Sequence, residues 1–324
     1  MAKIIVGVLR GGPSSEYEIS LLTGQNVLNH LAPDKYETRD ILVSKDGVWH
    51  ENGFPSSPDK IFQKVDVIFN AMHGEYGEDG KVQQVLEAHS IPYTGSRIVP
   101  SAMAMQKTVS KDIFQKAGLK VPRGISVRKS KDLLKSAEEV RNNLFQPWLI
   151  KPASRGSSVG VNIAHNVPEI VGALNEAFMH DDEAIAEEYI KGREVTCGIL
   201  DHFRKEEYYA LPVIEIIPPI GKMFDYENKY NGRSREICPA NLDLETSKEV
   251  KEAAILAHKA LGMSHYSRSD FIISNEKGRS GIYILETNSL PGLTSESLVP
   301  KAAEAIGLSL PGLLDHLVSQ ALNR

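Results

Sequence analysis

The sequence predicts a chain of mixed class, α/β at its start and α+β after it, in three parts. Three observations carry that expectation. Strand-like and helix-like runs alternate through the first hundred residues, which points to a parallel sheet. After Ser96 the pattern changes to short strands mixed with polar helices, and from about residue 184 strands dominate. The length of 324 residues also exceeds what one ordinary core fills. The expected parts are 1–100, 101–190 and 191–324.

Taken in order, "KIIVGVL" (3–9) is a short run rich in β-branched residues, stopped by Gly11-Gly12. Ser15 and Glu18 have the spacing of a capping box, and "ISLLTGQNVLNHL" repeats apolar residues as a helix does. "TRDILV" (38–43) and "VDVIFNAM" (65–72) predict strands, 80–88 a helix, and "IPYTG" (91–95) a short strand and turn. "KTVSKDIFQKAG" predicts a helix ending near Gly118. "RGISV", a polar helix over 131–143, "WLIKPA" and "VGVNIA" make a small α+β unit. "AIAEEYI", "EVTCGIL", "YYALPVIEII", "SRSDFIIS" and "GIYILETN" predict strands, interrupted by a helix over 245–261 and followed by two more helices.

Composition narrows the class of function. Apolar residues make up 41% and charged ones 24%, with a formal charge of -5 and both signs spread along the chain. No basic tract offers itself to nucleic acid or an anionic membrane, so neither is an expected partner. Cys197 and Cys238 are too few for a disulfide framework and lack metal-ligand spacing, so both are expected as reduced thiols. No run approaches a membrane span, and "MAKIIVGVLRGG" lacks the features of a signal peptide. The mature chain is expected to begin near Met1 and to stay in the cytoplasm.

Two late strands carry the strongest chemical signal. Arg268 and Asp270 share one strand face, and so do Glu286 and Asn288. If the strands pair side by side, two carboxylates and an amide converge, a hard-ligand set suited to Mg2+ held with nucleotide phosphates. The other reading is a solvated sheet face with a salt bridge, but the apolar residues around these positions favour metal.

"KPASRGSSVG" (151–160) places Lys151 at a strand end, directly before a Gly-Ser loop whose amides can turn toward phosphate oxygens. It is neither a P-loop nor a dinucleotide fingerprint. Lys107 opens a helix, against the helix dipole; a bound anion explains it, as does ordinary exposure. Lys229 sits in an irregular polar stretch that reads as a lid or as a surface loop. "EEYIKGRE" (187–194) can present main-chain groups to a purine and Glu194 to a ribose, or be a plain turn between domains. In the first domain, "RGGPSSEYE" and "MHGEYGEDG" follow apolar strands, where open parallel sheets bind ligands. There Glu16 could hold an ammonium, and His73 could orient a carboxylate or be an exposed turn residue.

With these residues assembled, the chain resembles the D-alanine–D-alanine ligase family of the ATP-grasp superfamily. The resemblance runs nearly end to end through "GGPSSEYEIS", "HGEYGEDG", "YTGS", "KPASRGSSVG", "DYENKY", "CPA", "RSDF" and "LETNSLPGLTSESLVP". "HGEYGEDG" and the last segment are its most specific parts. It implies a three-domain ATP-grasp architecture whose N-terminal domain holds the parallel, Rossmann-like sheet. It also implies ATP-dependent joining of two D-alanines through a D-alanyl phosphate, for peptidoglycan precursors and so for cell-wall growth and cell shape. ATP and Mg2+ are the implied cofactors, with Mn2+ and K+ as further ions it admits, and a homodimer is the implied assembly.

Carried over position by position, the resemblance gives Lys107, Lys151, Ser157, Ser158 and Lys229 to the nucleotide phosphates and their loop. It sets Glu187, Glu188, Tyr189 and Ile190 around the adenine and Glu194 on the ribose. Asp270, Glu286 and Asn288 hold Mg2+. Glu16 takes the first alanine's ammonium, with His73 near its carboxylate and Lys229 close to the substrate. Ser157 and Tyr230 join Glu16 in a hydrogen-bonded triad, while Ser297 and the Leu298 backbone hold the second alanine's carboxylate. Arg268 and the Gly292 N–H form the oxyanion site, and the loops 151–160 and 221–237 are the expected lids over a water-sensitive acyl phosphate.

Gln106, the order Ser154-Arg155, and Ser289 depart from the family pattern, each beside an expected functional residue rather than in its place. Tyr230 matches the alanine-using branch, so the expected product is a dipeptide, not a depsipeptide. Three rival readings fit less well. Another ATP-grasp carboxylate–amine ligase is disfavoured by the first-domain loops and "DYENKY". A nucleotide-binding regulatory module has no need of an oxyanion arginine. A nicotinamide oxidoreductase lacks its glycine fingerprint here.

Overall fold

A computed structural model describes residues 2–156, 159–217 and 235–323. The first sheet has the order β4-β3-β2-β1-β5, from Ile4–Gly11 (β1), Tyr36–Val43 (β2), Trp49–Glu51 (β3), Phe54–Pro55 (β4) and Val67–Asn70 (β5). β1 runs parallel to both β2 and β5 and lies between them, paired on both edges, and Val6, Val8 and Leu9 are fully buried. The sheet is not wholly parallel, since β3 and β4 fold back antiparallel on β2. "IPYTG" adds only one parallel bridge, Ile68 to Tyr93, rather than a strand. The helices of this part are Tyr17–His30 (α1), Pro58–Phe62 (α2) and Lys81–Ala88 (α3).

The expected capping box does not form. α1 starts later, with Glu16 at the N-cap, and the Glu16 N–H donates to Ser14 Oγ at 3.0 Å. Glu18 turns outward to Lys45 instead. A buried Glu16 displaces the register on which a Ser15–Glu18 exchange depends.

Ile98–Met105 (α4) and Lys107–Lys116 (α5) lead into a second, antiparallel sheet of order β6-β9-β7-β8. Its strands are Gly124–Arg128 (β6), Trp148–Pro152 (β7), Asn162–Ala164 (β8) and Glu183–Glu188 (β9). Leu133–Asn143 (α6) and Val167–Ala177 (α7) pack together on it through Val140, Ile150, Ile170 and Leu174. Asp132 and Asn166 cap these two helices by accepting from N–H groups of the first turn.

The third sheet has the order β13-β12-β10-β14-β15, with β11 also paired to β10. Its strands are Arg193–Phe203 (β10), Glu206–Ala210 (β11), Ile214–Ile217 (β12), Arg235–Ile237 (β13), Tyr266–Ser274 (β14) and Gly281–Asn288 (β15). The run "YYALPVIEII" is thus two strands. It breaks where Leu211 N–H bonds to Gly198 O, and its halves pair with different stretches of β10. Leu244–Leu261 (α8) crosses this sheet, with Val250, Ala254 and Leu261 against Val195, Cys197 and Phe271.

Two packing relations cross these divisions. α4 and α5 contribute Ala104 and Phe114 to the core under the third sheet. The closing helices Leu298–Glu304 (α9) and Leu310–Leu322 (α10) share a core with the first sheet, Leu313, Leu314 and Leu317 standing with Val6, Val27 and Phe69. No helix among the described residues is long and apolar enough to cross a membrane.

Candidate active site

Two clefts open where the three sheets meet. One, of about 370 Å³, lies between the second and third sheets and is lined by Lys151, Glu187 to Ile190, Glu194, Asp270 and Ile272. The other, of about 410 Å³, lies between the first and third and is lined by Glu16, His73, Arg268, Asn288, Gly292, Ser297 and Leu298. Lys107 and Glu286 line both, with Lys107 Nζ 3.3 Å from Glu286 Oε2. The clefts are therefore two rooms with one shared wall.

β14 and β15 build that wall. They pair antiparallel, with Arg268 opposite Asn288 and Asp270 opposite Glu286, and a bulge follows Asp270. Arg268 grips Asp270 through Nε and Nη2, each at 2.9 Å from one carboxylate oxygen. Thr196, across on β10, donates to Asp270 Oδ1 at 2.6 Å, and Asn288 Nδ2 lies 3.4 Å from Oδ2. The pairing brings two carboxylates and an amide together on adjacent strands, a donor set that fits a hard cation. Among the described residues no three His, Cys, Asp or Glu side chains are arranged to hold a metal by themselves, so a cation here would complete its shell with other oxygens, such as phosphate or water.

The nucleotide-expected residues fall along the first cleft. Lys107 is the first residue of α5, and its N–H is bonded to Ala153 O, at the end of β7 and beside the loop that follows. Its ammonium donates to Arg155 O at 2.6 Å. Lys151 Nζ lies 3.0 Å from Glu187 Oε2, and Lys111 Nζ 2.6 Å from Glu187 Oε1. Burial would raise the Glu187 carboxyl, but the two ammonium groups hold it below its ordinary range. Burial in turn pushes the Lys111 ammonium down to about 8. Glu188 is engaged by the Phe145 N–H and by Arg279, and Tyr189 N–H by Pro147 O.

In the second cleft Glu16 is buried at the start of α1. A Cβ on Gly156 would lie 2.8 Å from Glu16 Oε1, so a larger residue in the loop after β7 would have to displace this carboxylate. His73 is buried, with Nε2 2.8 Å from Thr23 Oγ1 and Nδ1 3.6 Å from Glu78 Oε1. A Cβ on Gly292 would lie 2.8 Å from Ser297 Oγ, which accepts from Thr294 N–H at 3.0 Å. Leu298 opens α9 beside it. Ser157, Ser158, Lys229 and Tyr230 lie outside the described residues, as does most of the lid expected over 221–237.

Two of the three departures from the family pattern have local partners. Gln106 donates to Glu183 Oε2 at 3.1 Å. Ser154 gives both its N–H and its hydroxyl to Asp181, while Arg155 reaches Glu75 Oε2 at 2.7 Å and so ties the loop after β7 to the loop after β5. Ser289 Oγ is buried with no hydrogen-bond partner among the described residues. Sequence reading missed Lys111, Thr196, Thr23 and Glu75. Of these only Lys111 left a usable trace, its spacing of one helical turn from Lys107.

Comparison with known proteins agrees with this architecture. The family model described as D-ala D-ala ligase C-terminus matches residues 113–319, and that described as D-ala D-ala ligase N-terminus matches 5–61 and 50–96. A D-alanine–D-alanine ligase of Halalkalibacterium halodurans is 37% identical over 320 residues, covering 98% of this chain and 99% of that one. Among solved structures, the VanG D-Ala:D-Ser ligase of Enterococcus faecalis has a TM-score of 0.85 at 31% identity, over 99% of this chain and 100% of that one. The D-alanine–D-alanine ligase of Bacillus anthracis complexed with ATP has a TM-score of 0.80 at 31% identity, over 99% and 98% of the two chains. With both halves of the family matched, and relatives aligned over nearly the full length, the chain belongs to the D-alanine–D-alanine ligase family.

Proposed function

We propose that the protein joins two D-alanines into D-alanyl-D-alanine at the expense of ATP, releasing ADP and phosphate, to supply peptidoglycan precursors. The observation that carries this reading is the shared wall. A nucleotide cleft and an amino-acid cleft that meet at Lys107 and Glu286 can pass a phosphoryl group from one to the other. Family membership supports the reaction, and the ATP complex of the B. anthracis enzyme supports the nucleotide.

A carboxylate is a poor electrophile, so the first D-alanine is activated as an acyl phosphate. Its carboxylate oxygen takes the γ-phosphoryl group and ADP leaves. Lys107 and Lys151 neutralise phosphate charge from the nucleotide cleft. Asp270, Glu286 and Asn288 would hold Mg2+, which when bound offsets further charge on the phosphates. Glu16 holds the first alanine's ammonium, and His73, set by Thr23 and Glu78, orients its carboxylate. Ser297 and the Leu298 N–H hold the second alanine's carboxylate, directing its amine to the activated carbonyl. Arg268 and the Gly292 N–H stabilise the oxyanion of the tetrahedral intermediate, which collapses to dipeptide and phosphate. Ser157 and Tyr230 complete the reading as partners of Glu16.

The expected units 1–100, 101–190 and 191–324 each hold one of the three sheets in this reading. A homodimer and a cytoplasmic location belong to it as well. The test is ADP formation from Mg-ATP and D-alanine, with product mass read in parallel and L-alanine, D-serine and D-lactate as controls. A D-alanyl-D-alanine mass that appears in step with ADP is the expected result. ATP binding without turnover on D-alanine would refute the amino-acid half of the reading.

A further inference from the structure

Lys111 stands outside every role given so far. It lies on α5 one helical turn after Lys107, which places both on one face of the helix. Lys107, Lys151 and Glu187 line the nucleotide cleft, whereas Lys111 does not. It is nevertheless a buried cation, and burying one is costly without a charged partner. That partner is Glu187, 1% exposed, whose two carboxylate oxygens are divided between Lys111 at 2.6 Å and Lys151 at 3.0 Å.

We propose that Lys111 is a positioning residue for the nucleotide, acting through Glu187 to hold the Lys151 ammonium at the floor of the cleft. The inference rests on the reading of that cleft as the ATP site. Two physical consequences of the shared carboxylate carry it. With one carboxylate between two ammonium groups, the trio keeps a net positive charge toward the cleft, and a polyphosphate is attracted there. Without Lys111, Glu187 and Lys151 form a neutral pair, and the ammonium is drawn wholly onto the carboxylate. Glu187 is then a bridge between lysines more than a contact for the base, and the side chain that touches ATP is set by one that does not. The same helix supplies both, Lys107 to touch the phosphates and Lys111 to arrange Lys151. Burial lowers the proton affinity of Lys111, and the Glu187 carboxylate beside it opposes that shift.

A double-mutant cycle separates this role from simple packing. ATP dissociation constants are measured by calorimetry with Mg2+ present for the wild type, Lys111→Met, Lys151→Ala and the double variant, with melting temperatures alongside. Lys111→Met is expected to weaken ATP binding at least tenfold, about 1.4 kcal/mol. The D-alanine KM is expected to stay within about twofold, the non-additivity scale of an uncoupled site. In the Lys151→Ala background the same substitution is expected to change ATP binding by less than about twofold, because its target is gone. Lys111→Arg keeps the charge and is expected to stay within about threefold of the wild type. Lys111→Gln takes the place of Lys111→Met should the latter not fold. Losses that add in the double variant would overturn the proposal, as would wild-type ATP affinity in a folded, neutral variant. A wild type that does not bind ATP would remove the proposed nucleotide site, and this inference with it.

Discussion

Lys107 Nζ lies 3.3 Å from Glu286 Oε2 at the seam between the two clefts. A cation from a helix start and a carboxylate from a strand end thus face each other where a transferring phosphoryl group would pass. Glu286→Gln keeps the shape of the side chain and removes its charge. It is expected to lower kcat by about 100-fold, the scale seen when one charge-stabilising group is removed. Coupled ADP release measures this, and a kcat within threefold of wild type would remove Glu286 from the reaction.

Arg268 is held in two directions at once, to Asp270 by a fork of hydrogen bonds and to the second cleft as part of its lining. A point charge cannot reproduce that fork. Arg268→Lys is therefore expected to lose about 100-fold in kcat, nearly as much as Arg268→Ala. Steady-state kinetics with both variants decides it. Near-complete rescue by lysine would show that charge alone is needed.

Gly156→Ala places a Cβ 2.8 Å from Glu16 Oε1. Overpacking of this kind costs about 1–3 kcal/mol. The displaced group is the one assigned to the first alanine's ammonium, so the D-alanine KM is expected to rise by about tenfold. A KM unchanged with alanine at position 156 would mean that Glu16 can move away without loss.

Asp201 organises a buried polar cluster whose residues line neither cleft. Its Oδ1 lies 2.9 Å from His258 Nε2, its Oδ2 accepts the His265 N–H at 2.5 Å, and His265 Nδ1 accepts from Gly95 N–H at 3.0 Å. His258 Nδ1 and Ser267 Oγ are 2.7 Å apart, which gives a serine–histidine–aspartate chain. His258 and Ser267 are fully buried, so no substrate reaches the chain, and through Gly95 it ties the turn after Tyr93 to the third sheet. Asp201→Ala strands these partners and is expected to cost about 3 kcal/mol in urea unfolding. A loss below about 1 kcal/mol would mean water or rearrangement replaces the carboxylate.

Burial pushes the Cys197 thiol up to about 12 from its ordinary 9.0. The native protein is expected to leave this thiol unlabelled by a disulfide reagent at pH 8, and a second equivalent is expected to appear on unfolding. The linkage has a definite sign. The fold favours the protonated thiol, so its contribution is complete below pH 9 and declines as pH rises toward 12. Rapid labelling of both cysteines in the native state would contradict the packing of β10 against α8.

Much of the site was legible because its residues sit on strands whose alternation is strict. Asp270, Arg268, Glu286 and Asn288 could be assigned to common faces from spacing alone, and the observed register brings those faces together. Lys151 and the glycines after it were legible for a similar reason, as a strand end followed by residues that turn. What stayed hidden depends on distance in the chain. Thr196 touches Asp270 across a strand pair, and Glu187 is bridged by lysines from α5 and β7, relations that no local pattern encodes. The capping box failed for the opposite reason. Its local signal was sound, but a buried Glu16 took the N-cap position. Likewise the two-residue strand β4 depends on its pairing partner, whereas the break after Ala210 had a local signal in Pro212, which cannot donate to a sheet ladder.

The packing of α9 and α10 against the first sheet bears on how the chain is made. Val6, Val27 and Phe69 complete their surroundings only with Leu313, Leu314 and Leu317, more than two hundred residues later. A ribosome delivers the first sheet long before those leucines, so during synthesis its apolar face waits uncovered while two further sheets emerge. The nascent N-terminal part would be a client for chaperones until termination. A stop codon that removed only the last helix would then leave an unfinished core at the beginning of the chain, far in sequence from the lesion.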